Sequence, residues 1–332
     1  MSSQEDIFPA PSSRRGLSAL VEAMRPIHWV KNVFVLAPVV FAHKFDDLDS
    51  WIRCLWAAAV FCLLASGVYL LNDLVDRQGD QQHPVKRHRP VASGRLSVST
   101  ALLAGLVFLS AGLLMAAGAK WFWPGSMGGL GLLAWACAYV LITLLYSYWL
   151  KKHPIVDVIV VSLGFVLRAM AGAAAIDVPV SPWLVVCTFT LCLFIALTKR
   201  RSEVAFLDET ASAARGANAG YDMADLNVMI SVASAMAIIT YALYCLSPHT
   251  IERTVRSANM VWTIPLVVYG VFRFNRLTSL SGRDPIYVLA RDRAMQAVLV
   301  LYIIATLLII QFGGSEFFRD ILEVYPGGPT SK

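Results

Sequence analysis

Residues 69–94 read YLLNDLVDRQGDQQHPVKRHRPVASG, and no other segment places so many polar side chains directly against an apolar run. If the segment is helical, Asn72, Asp76 and Asp80 share one face at intervals of four residues, and Asp73 lies beside them. Carboxylates that converge in this way repel one another unless a cation lies among them. Hard oxygen ligands suit Mg²⁺, which is commonly held by one or two carboxylates together with substrate phosphates. The segment therefore predicts a Mg²⁺ site at the end of a helix.

The composition is that of an integral membrane protein. Of the 332 residues, 57% are hydrophobic and 15% are charged, whereas soluble proteins contain about 25% charged residues. A helix needs about 20 mostly apolar residues to cross the hydrocarbon core of a bilayer. We predict an all-α integral membrane protein with about nine transmembrane helices, the first and eighth of them short: 26–42, 55–71, 98–119, 128–149, 155–176, 182–198, 226–246, 260–274 and 294–312.

The distribution of basic residues predicts the orientation. With the amino terminus in the cytoplasm, twenty Lys and Arg residues fall in cytoplasmic segments and seven in the opposite ones, in agreement with the positive-inside rule. The acidic segment then faces the cytoplasm in a multi-pass protein of the plasma (inner) membrane. We expect 1–15 to be a disordered cytoplasmic tail, 16–313 to be the transmembrane domain and 314–332 to be an extracytoplasmic tail. Residues 210–225 are rich in small side chains and are expected to form a mobile connection.

Basic side chains collect at the same face as the acidic segment. Such a surface suits a substrate with several phosphates, because a metal ion and basic groups both bind phosphate oxygens. For any single residue, the alternative is that its charge only sets the topology. The candidates for phosphate binding are Lys31, Lys86, Arg87, Arg89, Lys151, Lys152, Lys199, Arg200 and Arg201, with Asn32, Tyr148, Asp157, Arg168 and Glu203 as further candidates for the site.

Two of these candidates have competing interpretations. Tyr148 is equally explained as part of an aromatic belt at the membrane interface. Arg168 lies about 20 Å along its predicted helix, inside the membrane, where a charged side chain is a functional candidate by default. Asp157 is about 16 Å away along that helix and too distant to be its direct partner. Arg168 is expected to face a polar cavity, a backbone carbonyl or a lipid phosphate, and these alternatives stay open.

The segments NDLVDRQGD, residues 72–80, and KRHRPVASGRLS, residues 86–97, resemble the acidic motif and downstream segment of the UbiA-type polyprenyl transferase superfamily. YSYWLKKHPIVDVIVVSLG, residues 146–164, is similar to the connection between the fourth and fifth helices of that superfamily. The resemblance extends over most of the chain. It implies a UbiA-like bundle whose active site faces the cytoplasm, with Asp73 and Asp76 as catalytic residues and Asn72, Asp73, Asp76 and Asp80 as Mg²⁺ ligands.

The sequence departs from the superfamily at the end of the sixth predicted helix, TKRRSEVAFLDE, residues 198–209. Ordinary members carry a second aspartate-rich motif there, and the two motifs bind Mg²⁺ and the diphosphate of a prenyl donor. This chain has Lys199, Arg200 and Arg201 instead, with Glu203 as the nearest acid. We expect one half of the site to bind metal and the other half to bind phosphate directly. This departure and the opening MRPIHWVKN, residues 24–32, resemble the decaprenyl-phosphate phosphoribosyltransferase branch.

That branch implies transfer of 5-phosphoribosyl from phosphoribosyl diphosphate to a polyprenyl (decaprenyl) phosphate, with release of diphosphate, as a step toward lipid-linked arabinose for cell-wall arabinan. The expected partners are these two substrates and the membrane, with no nucleic acid, and a homo-oligomer is left open. One alternative is a prenyltransferase that acts on an aromatic acceptor. The other is a non-enzymatic lipid-binding or transport protein, although transporters usually place polar sites near the bilayer midplane.

Overall fold

A computed structural model describes residues 16–83, 85–124, 128–210, 221–248, 250–251, 258–281 and 291–312. Within these ranges the protein is helical and contains no β-strand. The helices are α1 (Leu17–Met24), α2 (Ala37–Phe41), α3 (Leu48–Val75), α4 (Arg77–Gln82), α5 (Val98–Phe122), α6 (Gly128–Tyr148), α7 (Val156–Ala175), α8 (Pro182–Thr210), α9 (Met223–Leu246), α10 (Ile264–Ser281) and α11 (Arg293–Phe312). A 3₁₀ helix, Pro26–Val35, precedes α2, and shorter 3₁₀ turns lie at Lys86–His88, Leu150–Lys152 and Ala258–Thr263.

Seven helices of the described chain are long and apolar enough to cross a membrane, namely α3, α5, α6, α7, α8, α9 and α11. They coincide with seven of the nine predicted apolar runs, although α3 and α8 extend well beyond them. The predicted class, an all-helical multi-pass membrane protein, is therefore confirmed. The predicted tails, 1–15 and 314–332, and residues 211–220 of the predicted mobile connection lie outside the described residues.

The first predicted span, 26–42, does not form a transmembrane α-helix. It forms the 3₁₀ helix and the five-residue α2. Pro26 is the first residue of the 3₁₀ helix and Pro38 is the second residue of α2. Proline supplies neither the amide hydrogen nor the space that a continuous helix would need. The eighth predicted span, 260–274, is also not among the seven membrane-spanning helices, because the chain turns at Ala258–Thr263 and α10 carries Arg273 and Arg276.

The 3₁₀ helix sorts its side chains into three rows, because three residues make one turn. The exposed row is apolar and suits contact with lipid, whereas the inward row faces the bundle. The remaining row lies between them, at the side of the segment. The exposed row is Ile27, Val30 and Val33; the inward row is Trp29, Asn32 and Val35; the side row is His28, Lys31 and Phe34.

Helix α3 is the centre of the bundle and packs against α5, α6 and α7. At Gly67 of α3 the approach is so close that a Cβ would lie 2.9 Å from the carbonyl oxygen of Gly105 on α5. Backbone packing through small residues is typical of membrane helices, since lipid gives no hydrophobic driving force for helix association. Large apolar side chains on the outer surface, such as Leu103 and Leu114, are exposed and suit contact with the lipid.

The 3₁₀ helix is seated on α7 at Gly172. A Cβ at this position would lie 1.9 Å from the carbonyl oxygen of Val35. The thiol of Cys54, on α3, donates to the carbonyl of Gly172 at 3.6 Å. Three parts of the bundle therefore meet at one point, and this contact sets how deeply the side chains of the 3₁₀ helix enter the protein.

We predict that Gly172→Ala destabilises the protein by about 1–3 kcal/mol, because the added methyl group meets a backbone oxygen that cannot rotate away. Gly118→Ala in α5 is the matched control, since its Cβ would meet only Trp121 Cε3, at 3.9 Å. Thermal unfolding of both variants in detergent measures the difference. Equal midpoints for the two variants would contradict the close approach of α7 and the 3₁₀ helix.

Candidate active site

The acidic motif lies where α3 ends, and we call this end of the bundle the motif end. Helix α3 ends at Val75, Asp76 forms the junction, and α4 begins at Arg77. Across the junction the Asp76 amide donates to the Asn72 carbonyl at 2.9 Å, and the Asp80 amide donates to the Asp76 carbonyl at 2.8 Å. The four-residue spacing of the motif is therefore kept, although two helices carry it rather than one.

Asp73 and Asp80 form the first pair of acidic residues, and both are buried. The Arg89 guanidinium joins them, since its Nη1 lies 2.7 Å from Asp80 Oδ2 and 3.5 Å from Asp73 Oδ1. Arg25 also donates to Asp73 and lies over the Tyr69 ring, 5.1 Å from its centroid. Two cations from distant parts of the chain thus neutralise the buried half of the motif.

Asn72 and Asp76 form the second pair. The Asn72 amide donates to Asp76 Oδ2 at 3.0 Å. Lys151, from the turn between α6 and α7, forms an ion pair with Asp76 and donates to Asn72 Oδ1 at 3.4 Å. The structure thus arranges the four predicted metal ligands as two adjacent pairs, each bridged by a basic side chain.

These residues fit a Mg²⁺ ion that shares its ligands with a substrate. In the described chain no three His, Cys, Asp or Glu side chains form a closed metal cluster. Mg²⁺ does not need one, because it is usually held by one or two carboxylates and completes its shell with water and substrate phosphates. Asp73 Oδ2 is buried and accepts no hydrogen bond from the described residues. A buried carboxylate oxygen without a donor is costly, and it is the donor type that Mg²⁺ prefers.

Arg200, on α8, is the centre of a second group of charged and polar side chains. Its Nε donates to Asp157 Oδ2 at 2.6 Å, and its Nη2 donates to the Tyr146 hydroxyl at 3.1 Å. It also forms an ion pair with Glu203, one turn further along α8. The predicted site residues Asp157, Arg200 and Glu203 thus lie together, and Arg200 serves to connect α6, α7 and α8.

The three consecutive basic residues of α8, which lie within the helix and not at its end, have different surroundings. Lys199 is exposed, and its Nζ lies 3.9 Å from Glu203 Oε1. Arg201 is buried and faces away from Asp157, toward α9 and α10. Its Nη2 donates to the Asn275 side chain at 3.0 Å and to Thr278 at 3.1 Å. The structure therefore separates Arg201 from the other predicted phosphate-binding residues and gives it a role in helix packing.

The basic loop between α4 and α5 returns over the motif end. Lys86 and Arg87 are exposed on it. Surrounding protein atoms and the positive charge of Arg89 lower the pKa of Lys86, although Glu203 opposes this effect. Because Glu203 belongs to α8, the loop lies within electrostatic reach of both halves of the site. The loop is anchored by Arg95, whose guanidinium donates to both carboxylate oxygens of Glu22 on α1 at 2.7 Å.

Three further candidates lie at the edge of this arrangement. Tyr148 and Lys152 are exposed on the turn that also carries Lys151. Lys31 is half-buried in the side row of the 3₁₀ helix, between His28 and Phe34. His28 in turn packs against Tyr69, with the ring centroids 5.8 Å apart, so this row begins next to the acidic motif.

Arg168 is buried in the middle of the bundle. It donates through Nε to Asn32 Oδ1 at 2.8 Å, through Nη1 to the Gly164 carbonyl at 2.8 Å and through Nη2 to the Tyr139 hydroxyl at 3.0 Å. Of the three alternatives left open by the sequence, the backbone carbonyl is therefore realised, together with two neutral side chains. Asn32, a predicted site residue, acts here as a partner of Arg168 and ties the 3₁₀ helix to α7.

An apolar cavity of about 350 Å³ lies beside α7 at Ala169, the residue that follows Arg168. Phe34 and Ala169 line the end nearer the acidic motif, and Val178 and Pro179 line the far end, beyond α7. Three tyrosines also contribute to its walls, from α9 and α11: Tyr241, Tyr244 and Tyr302. Because Phe34 shares a row of the 3₁₀ helix with Lys31, this row leads from the acidic motif to the cavity.

Arg25, Tyr146 and Tyr221 also belong to the site, although they are not among the residues predicted for it from the sequence. Arg25 was one of several basic residues near the predicted interface, and only the fold shows that it reaches Asp73. Tyr146 precedes Tyr148 by two residues, and no pattern in the sequence distinguishes which of the two faces inward. Tyr221 lies in the segment predicted to be mobile, yet its hydroxyl donates to Asp157 Oδ1 at 2.5 Å.

Comparisons with known proteins show which family the chain resembles. Residues 33–290 match the model of the UbiA prenyltransferase family. The chain is 28% identical to a decaprenyl-phosphate phosphoribosyltransferase of Mycolicibacterium smegmatis, over 90% of this chain and 95% of the relative. It is 34% identical to a protein of the same name from Corynebacterium glutamicum, over 70% of this chain and 69% of the relative.

The fold is also similar to a solved structure. This is a UbiA homologue from Archaeoglobus fulgidus bound to DMAPP and Mg²⁺, which matches with a TM-score of 0.67. The match covers 89% of this chain and 99% of the homologue, at 19% sequence identity. At this level of identity the likeness shows the shared fold.

We predict that Arg201→Met lowers the free energy of unfolding by about 1–3 kcal/mol, because it leaves the half-buried Asn275 side chain and the buried Thr278 hydroxyl without their donor. Lys199→Met, two positions earlier on the same helix, is the matched control and should cost less than about 0.5 kcal/mol. Thermal unfolding in detergent distinguishes the two. A stable Arg201→Met protein with weakened substrate binding would show instead that Arg201 belongs to the site.

Proposed function

The chain belongs to the UbiA prenyltransferase family and is a transferase, and we propose that it moves 5-phosphoribosyl from phosphoribosyl diphosphate to a polyprenyl phosphate with Mg²⁺. The asymmetry of the site carries this proposal. The acidic motif lies on α3 and α4. On α8, this chain has Lys199 and Arg200 where ordinary members of the superfamily have a second aspartate-rich motif. The relatives named decaprenyl-phosphate phosphoribosyltransferase support the same donor and acceptor.

The acidic half is proposed to receive the diphosphate of the donor. Asn72, Asp73, Asp76 and Asp80 would hold Mg²⁺, which neutralises the negative charge that develops on the leaving diphosphate. Arg25, Arg89 and Lys151 already contact these carboxylates. Their cationic groups are therefore placed to form charge-assisted hydrogen bonds with phosphate oxygens, which are stronger than neutral ones. Departure of the diphosphate breaks the bond between its oxygen and the anomeric carbon, which becomes oxocarbenium-like.

The acceptor needs positioning more than activation. A phosphate monoester is already ionised at pH 7, so an acceptor oxygen attacks the anomeric carbon without a general base, from the face opposite the diphosphate. We assign Lys31, Lys86 and Lys199 to the phosphate of the lipid or of the sugar, because they lie on the 3₁₀ helix, on the basic loop after α4 and on α8, the three segments that border the proposed site. Arg87 and Lys152 are exposed and would contribute at the rim of the site.

The apolar cavity is proposed to take the isoprenoid part of the acceptor. It begins at Phe34, in the same row as Lys31, and is lined mainly by apolar and aromatic side chains. A lipid whose phosphate lies near Lys31 would therefore direct its tail along α7 into this space. Arg168 lies between the two regions, and its hydrogen bonds to Asn32 and Tyr139 hold the 3₁₀ helix beside the path.

We place the reaction at the cytoplasmic face of the plasma (inner) membrane. The support for this orientation is the excess of basic residues in the segments that share the motif end. The product is a lipid-linked phosphoribose, which would serve as a precursor of lipid-linked arabinose for cell-wall arabinan.

Purified protein tests the proposal when it is offered labelled phosphoribosyl diphosphate with a polyprenyl phosphate, and separately a labelled prenyl diphosphate with an aromatic acid. Each reaction is run with Mg²⁺ and with EDTA. We expect lipid-linked product in the first reaction only, and only with Mg²⁺. Product in the second reaction alone would identify a prenyltransferase of the ordinary type. No product in either, with lipid bound, would favour a lipid-binding protein.

We predict that Asp73→Asn and Asp76→Asn each lower Mg²⁺-dependent transfer by about 10²-fold or more, because each removes a negative ligand oxygen from the metal-binding half. Asp222→Asn is the control, since Asp222 caps α9 at an exposed position and asparagine is an equally good cap. Initial rates and size-exclusion profiles in detergent are measured for all three variants. Full Mg²⁺-dependent activity in either motif variant would exclude that residue as an essential metal ligand.

A further inference from the structure

The turn between α6 and α7 is strained at Ile155. This residue has a φ of 69° and a ψ of −50°, and the Val156 amide donates to the Pro154 carbonyl at 2.8 Å. Together these features define a γ-turn of the classic type, which is rare and strained. A β-branched residue at positive φ is a genuine outlier. Such a conformation persists only where the surrounding structure holds it in place.

The side chain that holds this turn is Tyr221. The Ile155 amide donates to the Tyr221 hydroxyl at 2.6 Å, and the same hydroxyl donates to Asp157 Oδ1 at 2.5 Å. Both oxygens of Asp157 are therefore occupied, one by Tyr221 and the other by Arg200. Burial and the hydrogen bond to Asp157 raise the pKa of Tyr221, so its hydroxyl keeps the proton that it donates.

The strained turn is directly connected to the acidic motif. Lys151, which pairs with Asp76, lies four residues before Ile155. The intervening backbone is a series of tight turns, in which the His153 amide donates to the Leu150 carbonyl and the Asp157 amide donates to the His153 carbonyl, both at 3.1 Å. A displacement of Ile155 therefore moves Lys151, because no flexible segment lies between them.

We propose that Tyr221 is a positioning residue of the transfer site. Its hydroxyl holds the Ile155 turn in its strained form, and this turn keeps Lys151 against Asp76. Tyr221 does not itself contact the acidic motif in the described structure. Its influence on transfer rests on the proposed function, whereas its influence on the turn does not.

The test uses Tyr221→Phe, which removes only the hydroxyl. We expect faster amide hydrogen exchange in the peptide that covers 149–157, because the turn loses the acceptor that holds it. We also expect KM for phosphoribosyl diphosphate to rise about ten-fold, as for the loss of a hydrogen bond to a charged group, with KM for the lipid phosphate unchanged. Tyr269→Phe is the matched control, because among the described residues the Tyr269 hydroxyl accepts a hydrogen bond from Arg273 alone, on the surface of α10.

A second variant tests the strain itself. Glycine adopts positive φ without steric cost, and Ile155 is exposed, so Ile155→Gly should retain the turn without help from Tyr221. In the double variant Tyr221→Phe with Ile155→Gly, we expect KM for phosphoribosyl diphosphate to return most of the way to the wild-type value. A double variant no better than Tyr221→Phe would overturn the proposal.

The exchange measurement separates this inference from the proposed function. Unchanged exchange across 149–157 in Tyr221→Phe would overturn the role of Tyr221 whatever the reaction is. The alternative outcome is faster exchange across 149–157 in Tyr221→Phe, together with no phosphoribosyl transfer by the wild-type protein. It would support the role of Tyr221 in holding the turn that carries Lys151 and would reject the proposed reaction.

Discussion

Carboxylates beside a hydrocarbon core must be neutralised, and at the motif end this is done by bases from other parts of the chain. Asp73 pairs with Arg25, Asp80 with Arg89, Asp76 with Lys151 and Asp157 with Arg200. Removing one partner from such a buried pair is strongly unfavourable, because it leaves a charge without compensation. The ion pairs therefore fix how the helix ends and the loops between them meet, and with them the shape of the site.

The same ion pairs are relevant to how an acidic motif could bind a polyanionic substrate, as we propose. In the structure, these positive groups neutralise the acids that we propose as metal ligands. In the proposed reaction, bound Mg²⁺ would supply the cation for these acids, and Arg25, Arg89 and Lys151 would then turn to phosphate oxygens. Such an exchange would leave no acid without a cation, which matters in surroundings of low dielectric constant. The basic residues of α8 are also partly paired: Arg200 forms ion pairs with Asp157 and Glu203, while Lys199 stays exposed.

Much of the fold and part of the site could be predicted from the sequence, for different physical reasons. Long apolar runs identify membrane helices because hydrocarbon imposes one dominant requirement, and seven runs were identified correctly. The prediction for 26–42 was wrong because hydropathy registers neither the local effect of the prolines on a helix nor the tertiary contact between Asn32 and Arg168. At the site, spacing predicted that the acidic residues lie close together. It could not show that Arg200 and Arg201, adjacent in sequence, face different helices, or that Tyr221 reaches Asp157.

The three rows of the 3₁₀ helix have a consequence for how this part of the chain can change in evolution. A substitution within the exposed row, such as Val30 to another apolar residue, leaves the other two rows where they are. A deletion of Val30 would turn everything after it by one third of a turn, placing Lys31 toward lipid, where a charge is costly, and moving Asn32 away from Arg168. Between Pro26 and Val35, homologous sequences are therefore free to differ in composition but constrained to keep the same length.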